Sequence, residues 1–344
     1  MTSTEPSPLT RSRLMVWACL LLAILVITGF ACTLLGHHAV GGQDTWQWPP
    51  WTSPVWVVRV FRLLAAMVVG AALATAGMAT QALLRNPMAE PYLLGISSGA
   101  GVGVLIGMWA ADRAALPSWA TTPVLAFGGA LVTTLVVYQL GQRHGRIDPL
   151  ILLLSGAIVN VFNGALILLV LQFSRSEQMV QFISWGMGQM PEWLWSSPKL
   201  LILCGGIVFG GWAGLFLRGM SFNALGLGDE VAASSGVPVH RLRLETFIIV
   251  SLMTAAAVSL AGPIGFVGLI VPHMCRLLVG PDHRILAVMC GFGGALFLML
   301  ADTLCRLAGV WGRMGELPVG IVTALSGGPF FIVLLRRKLR GEGP

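Results

Sequence analysis

Apolar runs of about 20 residues, the length that crosses a hydrocarbon core of about 30 Å, recur ten times in this chain. They lie near 14–36, 57–84, 93–111, 121–141, 150–172, 198–217, 244–262, 263–279, 285–308 and 317–335. The stretch 244–279 would reach about 54 Å as one helix at 1.5 Å per residue, too long for one crossing, so a fold-back is expected at Gly262 and Pro263, where a helix breaks most easily. Ten spans predict an all-α polytopic membrane protein. Composition agrees, since 56% of the residues are hydrophobic and 10% charged, against about a quarter charged in soluble domains. The longest polar stretch, 218–243, is too short for a separate soluble domain, so residues 1–344 are expected to form a single membrane domain.

The net charge of +7 comes from 21 basic residues scattered in ones and twos, a pattern that suits topology signals rather than nucleic-acid binding. With the N-terminus in the cytoplasm, about two in three of these residues face inward and both termini are cytoplasmic. Ten of the 12 tryptophans then lie toward the outer side, as an aromatic belt or a vestibule. Trp185, Met187 and Met190 are candidates for touching a flat ring system, with packing the competing explanation. The adjacent His37 and His38 lack a third ligand partner. The six cysteines show no C-x-x-C spacing and read as small core hydrophobes.

Several chemistries lack their residues. A phosphate-binding loop needs Gly-Lys-Ser/Thr, but the only lysines, Lys199 and Lys338, follow Pro198 and Arg337. The chain therefore cannot hydrolyse ATP by that device. No metal or organic cofactor is expected, because no H-E-x-x-H or clustered His, Cys or acid pattern occupies a span. A secondary transporter driven by an ion gradient is the rival reading and normally keeps a carboxylate at mid-membrane. Asp302 is the nearest approach to one, and Arg306 stands at i+4 to pair with it. In the fifth span Gly156, Asn160 and Asn163 share one helix face, forming a small, polar stripe that either lines a path or makes interhelical hydrogen bonds.

The string RNPMAEPYLLGISSGAGVG at 85–103 is physically readable. Asn86 and Pro87 stop a helix, Glu90 and Pro91 shape a reversal, and Gly95, Gly99 and Gly103 allow the next helix to pack backbone to backbone. The string closely resembles the signature of FecCD-type permeases, the membrane subunits of ABC importers for iron siderophores, haem and cobalamin. FNALGLGDEVAASSGVP at 222–238, SLAGPIGFVGLIVPHMCRLLVGPDHR at 259–284 and ELPVGIVTALSGGPFFIVLL at 316–335 resemble later family segments in order.

The resemblance implies the type II ABC importer permease fold, with about ten transmembrane helices in inverted repeats. It also implies a bacterial inner-membrane location, a second permease copy as homodimer or related pseudo-dimer, two copies of a separate ABC ATPase subunit, and a periplasmic substrate-binding protein. The cytoplasmic coupling loop would be 222–238, with Asn223, Ala224, Leu225, Gly228, Asp229, Glu230, Ala233, Gly236 and Val237 as ATPase-coupling residues. Arg59 and Arg62 occupy the places of a family R-x-x-R pair, with Val60 and Phe61 replacing the usual Leu-Pro, and Arg306 stands ten residues before Glu316. All three arginines would receive the binding protein. Gly156, Asn160 and Asn163 would belong to the translocation path, gated with the inner loop 142–149.

Overall fold

The computed structural model describes residues 11–34, 38–40, 43–45, 54–114, 117–311 and 317–339. Each of the ten expected spans falls on a helix: α1 (Arg11–Leu34), α2 (Pro54–Leu84), α3 (Ile96–Ala114), α4 (Ser118–Leu140), α5 (Pro149–Gln172), α7 (Pro198–Leu217), α10 (Val239–Ala261), α11 (Val267–Val279), α12 (His283–Trp311) and α13 (Val319–Leu339). Three shorter helices, α6 (Ser176–Gly186), α8 (Gly219–Gly226) and α9 (Asp229–Ser234), lie between spans. His37, Glu316 and tryptophans 46, 48 and 51 fall outside the described residues.

α2 is the axis. From Ala65 to Ala79 most of its apolar side chains are buried, with Met67, Val68 and Ala71 half-buried, so protein covers most of its circumference. Its glycines make the contacts. A methyl on Gly70 would overlap the Gly294 carbonyl of α12, and one on Gly77 would overlap Gly268 of α11, because these backbones touch as small-residue interfaces allow. Gln81 Nε2 donates to the Gly268 carbonyl at 3.2 Å and its Oε1 accepts from Arg276, stitching α2 to α11.

Gly99 and Gly103 do what their spacing suggests: a methyl on either would strike α4 at Thr133 or Leu125. Gly95 differs from that expectation. It caps a 3₁₀ turn, Pro91–Leu94, with φ 80°, the left-handed conformation that glycine adopts without steric cost.

The 244–279 stretch breaks where expected, with Gly262 at φ 70° closing α10. The helix after the break is too short to be a full span, however. α11 has 13 residues, about 20 Å at 1.5 Å per residue, and cannot cross a core of about 30 Å alone. The irregular backbone between α10 and α11 is satisfied by other parts of the protein: Tyr92 Oη accepts the Ile264 N–H at 3.0 Å and Glu90 Oε1 accepts the Phe266 N–H at 2.5 Å.

Two ends result. One carries α8, α9, the α11–α12 turn and a tight antiparallel hairpin pairing β3 (Gln142–Arg143) with β4 (Arg146–Ile147). His144 and Gly145, at φ 52° and 74°, give that hairpin its two left-handed turn residues. The opposite end carries α6 and the strand pair β1 (His38–Val40) and β2 (Gln43–Thr45). α6 is held by Asp112 of α3, which accepts from Arg175 at 3.3 Å and Gln178 at 3.1 Å.

Candidate functional site

The segment 222–238 becomes a rigid patch rather than a loose loop, since each polar anchor reaches a different span. On α8, the Asn223 amide donates to Asp282 Oδ1 at 2.9 Å, and its oxygen accepts the His283 N–H at 2.9 Å. Arg284 pairs with Asp282 at 2.8 Å. Burial pushes the Asp282 carboxyl up, but hydrogen bonds from Arg284 and Asn223 outweigh it and hold the group at about 2. On α9, Asp229 takes Arg85 from the end of α2 and Arg243 of α10, the latter at 2.9 Å. The patch is thereby fixed to α2, α10 and α12 together.

The nine expected coupling residues divide by exposure. Leu225 is buried, Val237 packs on the core and Ala224 is half-buried. Asn223 and Asp229 are the anchors, Gly228 turns the chain between α8 and α9 at φ 131°, and Glu230, Ala233 and Gly236 (φ 82°) are exposed. Sequence reasoning missed three apolar side chains that stand out from the patch, Met220, Leu227 and Val231, which are 60%, 75% and 45% exposed. The available signal was large apolar side chains inside the longest polar stretch, 218–243; they lie on α8, in the turn after it and on α9, so no single helical face relates them.

At the opposite end the three candidate docking arginines turn inward. Asp302, with no exposed surface, accepts from Arg62 Nε at 3.0 and 3.1 Å and from Arg62 Nη2 at 3.0 Å, and Arg306 lies 3.4 Å from its second oxygen. The i,i+4 pair therefore exists, but α2 supplies the closer partner. Arg59 donates to the Thr33 carbonyl at 3.2 Å and Arg306 to that of Cys32 at 3.3 Å. These are last-turn carbonyls of α1, which lack helical partners and favour cations. Arg59, Arg62 and Arg306 are 7%, 5% and 8% exposed, and they fasten α1, α2 and α12 together.

The fifth-span stripe also faces protein. Asn163 Nδ2 donates to Ser98 Oγ at 3.1 Å and Thr133 Oγ1 at 3.2 Å, Asn160 Oδ1 accepts from Ser98 at 2.7 Å, and Asn160 Nδ2 reaches the Tyr92 carbonyl at 3.3 Å. A methyl on Gly156 would overlap the Leu93 carbonyl. These bonds join α5 to the 3₁₀ turn, α3 and α4. The outward face of α5 is apolar instead, with Ile158, Val161 and Phe162 at 67%, 76% and 61% exposure.

A cavity of about 680 Å³ opens at the α6 end, with Arg62, Met108, Thr122, Gln181, Trp185 and Met190 in its wall. It lies in the size range of small-molecule sites. Trp185 and Met190 reach it; Met187 is not part of its wall.

The described residues form a multi-pass helical bundle with an apolar-tipped patch outside its spans, an arrangement that suits a membrane protein docking other subunits. Comparison with known proteins agrees, since residues 22–337 match the FecCD transport family, and the chain belongs to that family of ABC-importer permeases. It is 39% identical to the vitamin B12 import system permease protein BtuC of Salmonella typhi, over 81% of this chain and 82% of that one. It is 36% identical to the hemin transport system permease protein HmuU of Yersinia pestis, over 92% and 94% of the two chains. A solved inward-facing metal-chelate type ABC transporter covers 93% of this chain and 98% of its own with a TM-score of 0.77 at 27% identity.

Proposed function

We propose that this chain is the membrane subunit of an importer that carries a metal chelate, an iron siderophore, haem or cobalamin, from periplasm to cytoplasm across a bacterial inner membrane. Two ABC ATPase subunits supply the work, a second copy of the chain completes the channel, and a periplasmic binding protein delivers cargo. Both termini, α8 and α9 face the cytoplasm. The single observation that carries this reading is the patch itself: Met220, Leu227 and Val231 project from a segment outside the spans that is bolted to three of them. Closure of an ATPase dimer against such a patch moves helices rather than a loop, which is how differential contacts couple two sites.

The second copy meets the apolar face of α5, and the path runs along that seam. Gly156, Asn160 and Asn163 act one layer behind, holding α5 to the 3₁₀ turn, α3 and α4. Arg59, Arg62 and Arg306 serve binding-protein docking indirectly, by fixing the end of the bundle on which it sits. The rival ion-driven carrier gains no support from Asp302, whose oxygens are engaged by arginines.

The deciding experiment coexpresses the chain with its ATPase and binding protein and follows uptake of haemin, a ferric siderophore and cyanocobalamin into vesicles. Uptake that requires the ATPase, ATP and the binding protein supports the reading. Uptake by the chain alone, driven by an ion gradient, overturns it.

A further inference from the structure

Residues 85–92 touch, along one short stretch, elements that the functional reading needs to move together. At the beginning, Arg85 binds Asp229 of α9. Arg85 has φ 49°, in the left-handed region that side-chain-bearing residues seldom adopt. The next residues are internally braced. The Asn86 N–H donates to the Gln81 carbonyl at 3.1 Å, Asn86 Oδ1 accepts the Met88 N–H at 3.0 Å, and the Ala89 N–H donates to the Asn86 carbonyl at 3.0 Å.

At the far end, Glu90 and Tyr92 hold the N–H groups of Phe266 and Ile264, the two bonds that sustain the α10–α11 break. Phe266 itself sits at φ 68°, a strained position that persists only where the surroundings impose it. Its ring lies where a methyl on Gly327 of α13 would be. Asn160 of α5 reaches the Tyr92 carbonyl. The stretch therefore has α9 at one end and the α10–α11 break and α5 at the other, each joined by a named hydrogen bond or ion pair, and the Phe266 ring carries the break's contact on to Gly327 of α13.

We propose that residues 85–92 form a strap that transmits displacement of α9 to the α10–α11 break and through Phe266 to α13, with Glu90 as its positioning residue. The inference rests on the coupling role assigned above to α8 and α9. Coupling along such a network is measured by altering its junctions one at a time. Glu90→Ala removes the acceptor of the Phe266 N–H. Glu90→Gln keeps an amide oxygen in its place, and Tyr92→Phe removes only the hydroxyl that holds Ile264.

The test uses the full chain with its ATPase subunits in lipid, Cys19→Ser to silence the exposed cysteine, and an environment-sensitive fluorophore at Leu325→Cys, which is 72% exposed on α13. ATP with vanadate is compared with the nucleotide-free state, so no cargo is needed. The fluorophore is expected to respond in the parent and in Glu90→Gln. In Glu90→Ala the response falls at least about tenfold, within the usual range of coupling between sites, while ATPase binding and ATP hydrolysis continue. Tyr92→Phe weakens the response in the same direction and replaces Glu90→Ala as the deciding variant should the latter not fold. Failure of the unaltered chain to bind the ATPase would defeat the functional reading. A bound, hydrolysing ATPase with an undiminished response in the deciding variant would defeat the strap alone, as would a loss in Glu90→Gln equal to that in Glu90→Ala.

Discussion

Replacing Asp302 by Ala strips the shared partner from two buried arginines. Asp302 is fully buried, and Arg62, at 5% exposure, gives it three contacts of 3.0–3.1 Å. Removing one side of a buried pair costs about 3–5 kcal/mol, most of it the stranded charge. At about 2.1 cal/mol/K per residue, 344 residues give an unfolding entropy of about 0.7 kcal/mol/K. The melting midpoint should therefore fall by roughly 4–7 °C, with the per-residue entropy of soluble proteins as the yardstick. The assay is thermal unfolding in detergent, read by tryptophan fluorescence. A double-mutant cycle sharpens it: Arg62→Met with Asp302→Leu should lose less than the sum of the two single changes, by about 0.5–3 kcal/mol. A midpoint for Asp302→Ala within about 1 °C of the parent, less than the shift that 1 kcal/mol produces at this size, would show that the cluster does not fasten α2 to α12. Strict additivity in the cycle would say the same of the Arg62–Asp302 pair.

Other expectations follow from single residues. Gly294→Ala places a methyl 2.5 Å from Ala74 Cβ and onto the Gly70 backbone, and overpacking of this kind costs about 1–3 kcal/mol; Gly206→Ala, with open space around it inside α7, should instead raise the melting midpoint by about 1 °C, since Ala is favoured over Gly in a helix interior by about 0.5–1 kcal/mol. Leu227→Asp should abolish copurification of the ATPase while leaving thermal unfolding of the isolated chain where it was, and retained copurification would remove the apolar tips from the interface. Asn163→Leu leaves Ser98 and Thr133 without its amide, a loss of about 1–3 kcal/mol readable in the same melt. For Asp282 the sign follows from a carboxyl lowered from 3.8 to about 2: its stabilisation is complete above 3.8 and disappears as pH falls through 2. Protection of α8 from an acid-tolerant protease should be flat down to pH 3.8 and decline below it, whereas Asp282→Asn should remove that acid-side decline.

The sequence by itself determined the spans, the break and the class. Run length, the Gly262–Pro263 interruption and the glycine spacing of 85–103 are local properties, and lipid leaves an apolar run of 20 residues few alternatives to a helix. The missing phosphate-binding loop was equally legible, because that motif is contiguous. What only the tertiary structure decided is which way the polar side chains on those helices point. Arg62 and Asp302 are 240 positions apart, and helical periodicity places each on a face without saying which face meets which helix. The same gap explains why Asn160 and Asn163 turn toward Ser98, Thr133 and Tyr92, and why Asp229 gathers Arg85 and Arg243. It also explains how 13 residues suffice for α11: the break is held by Glu90 and Tyr92, residues remote in sequence that packing brings beside it.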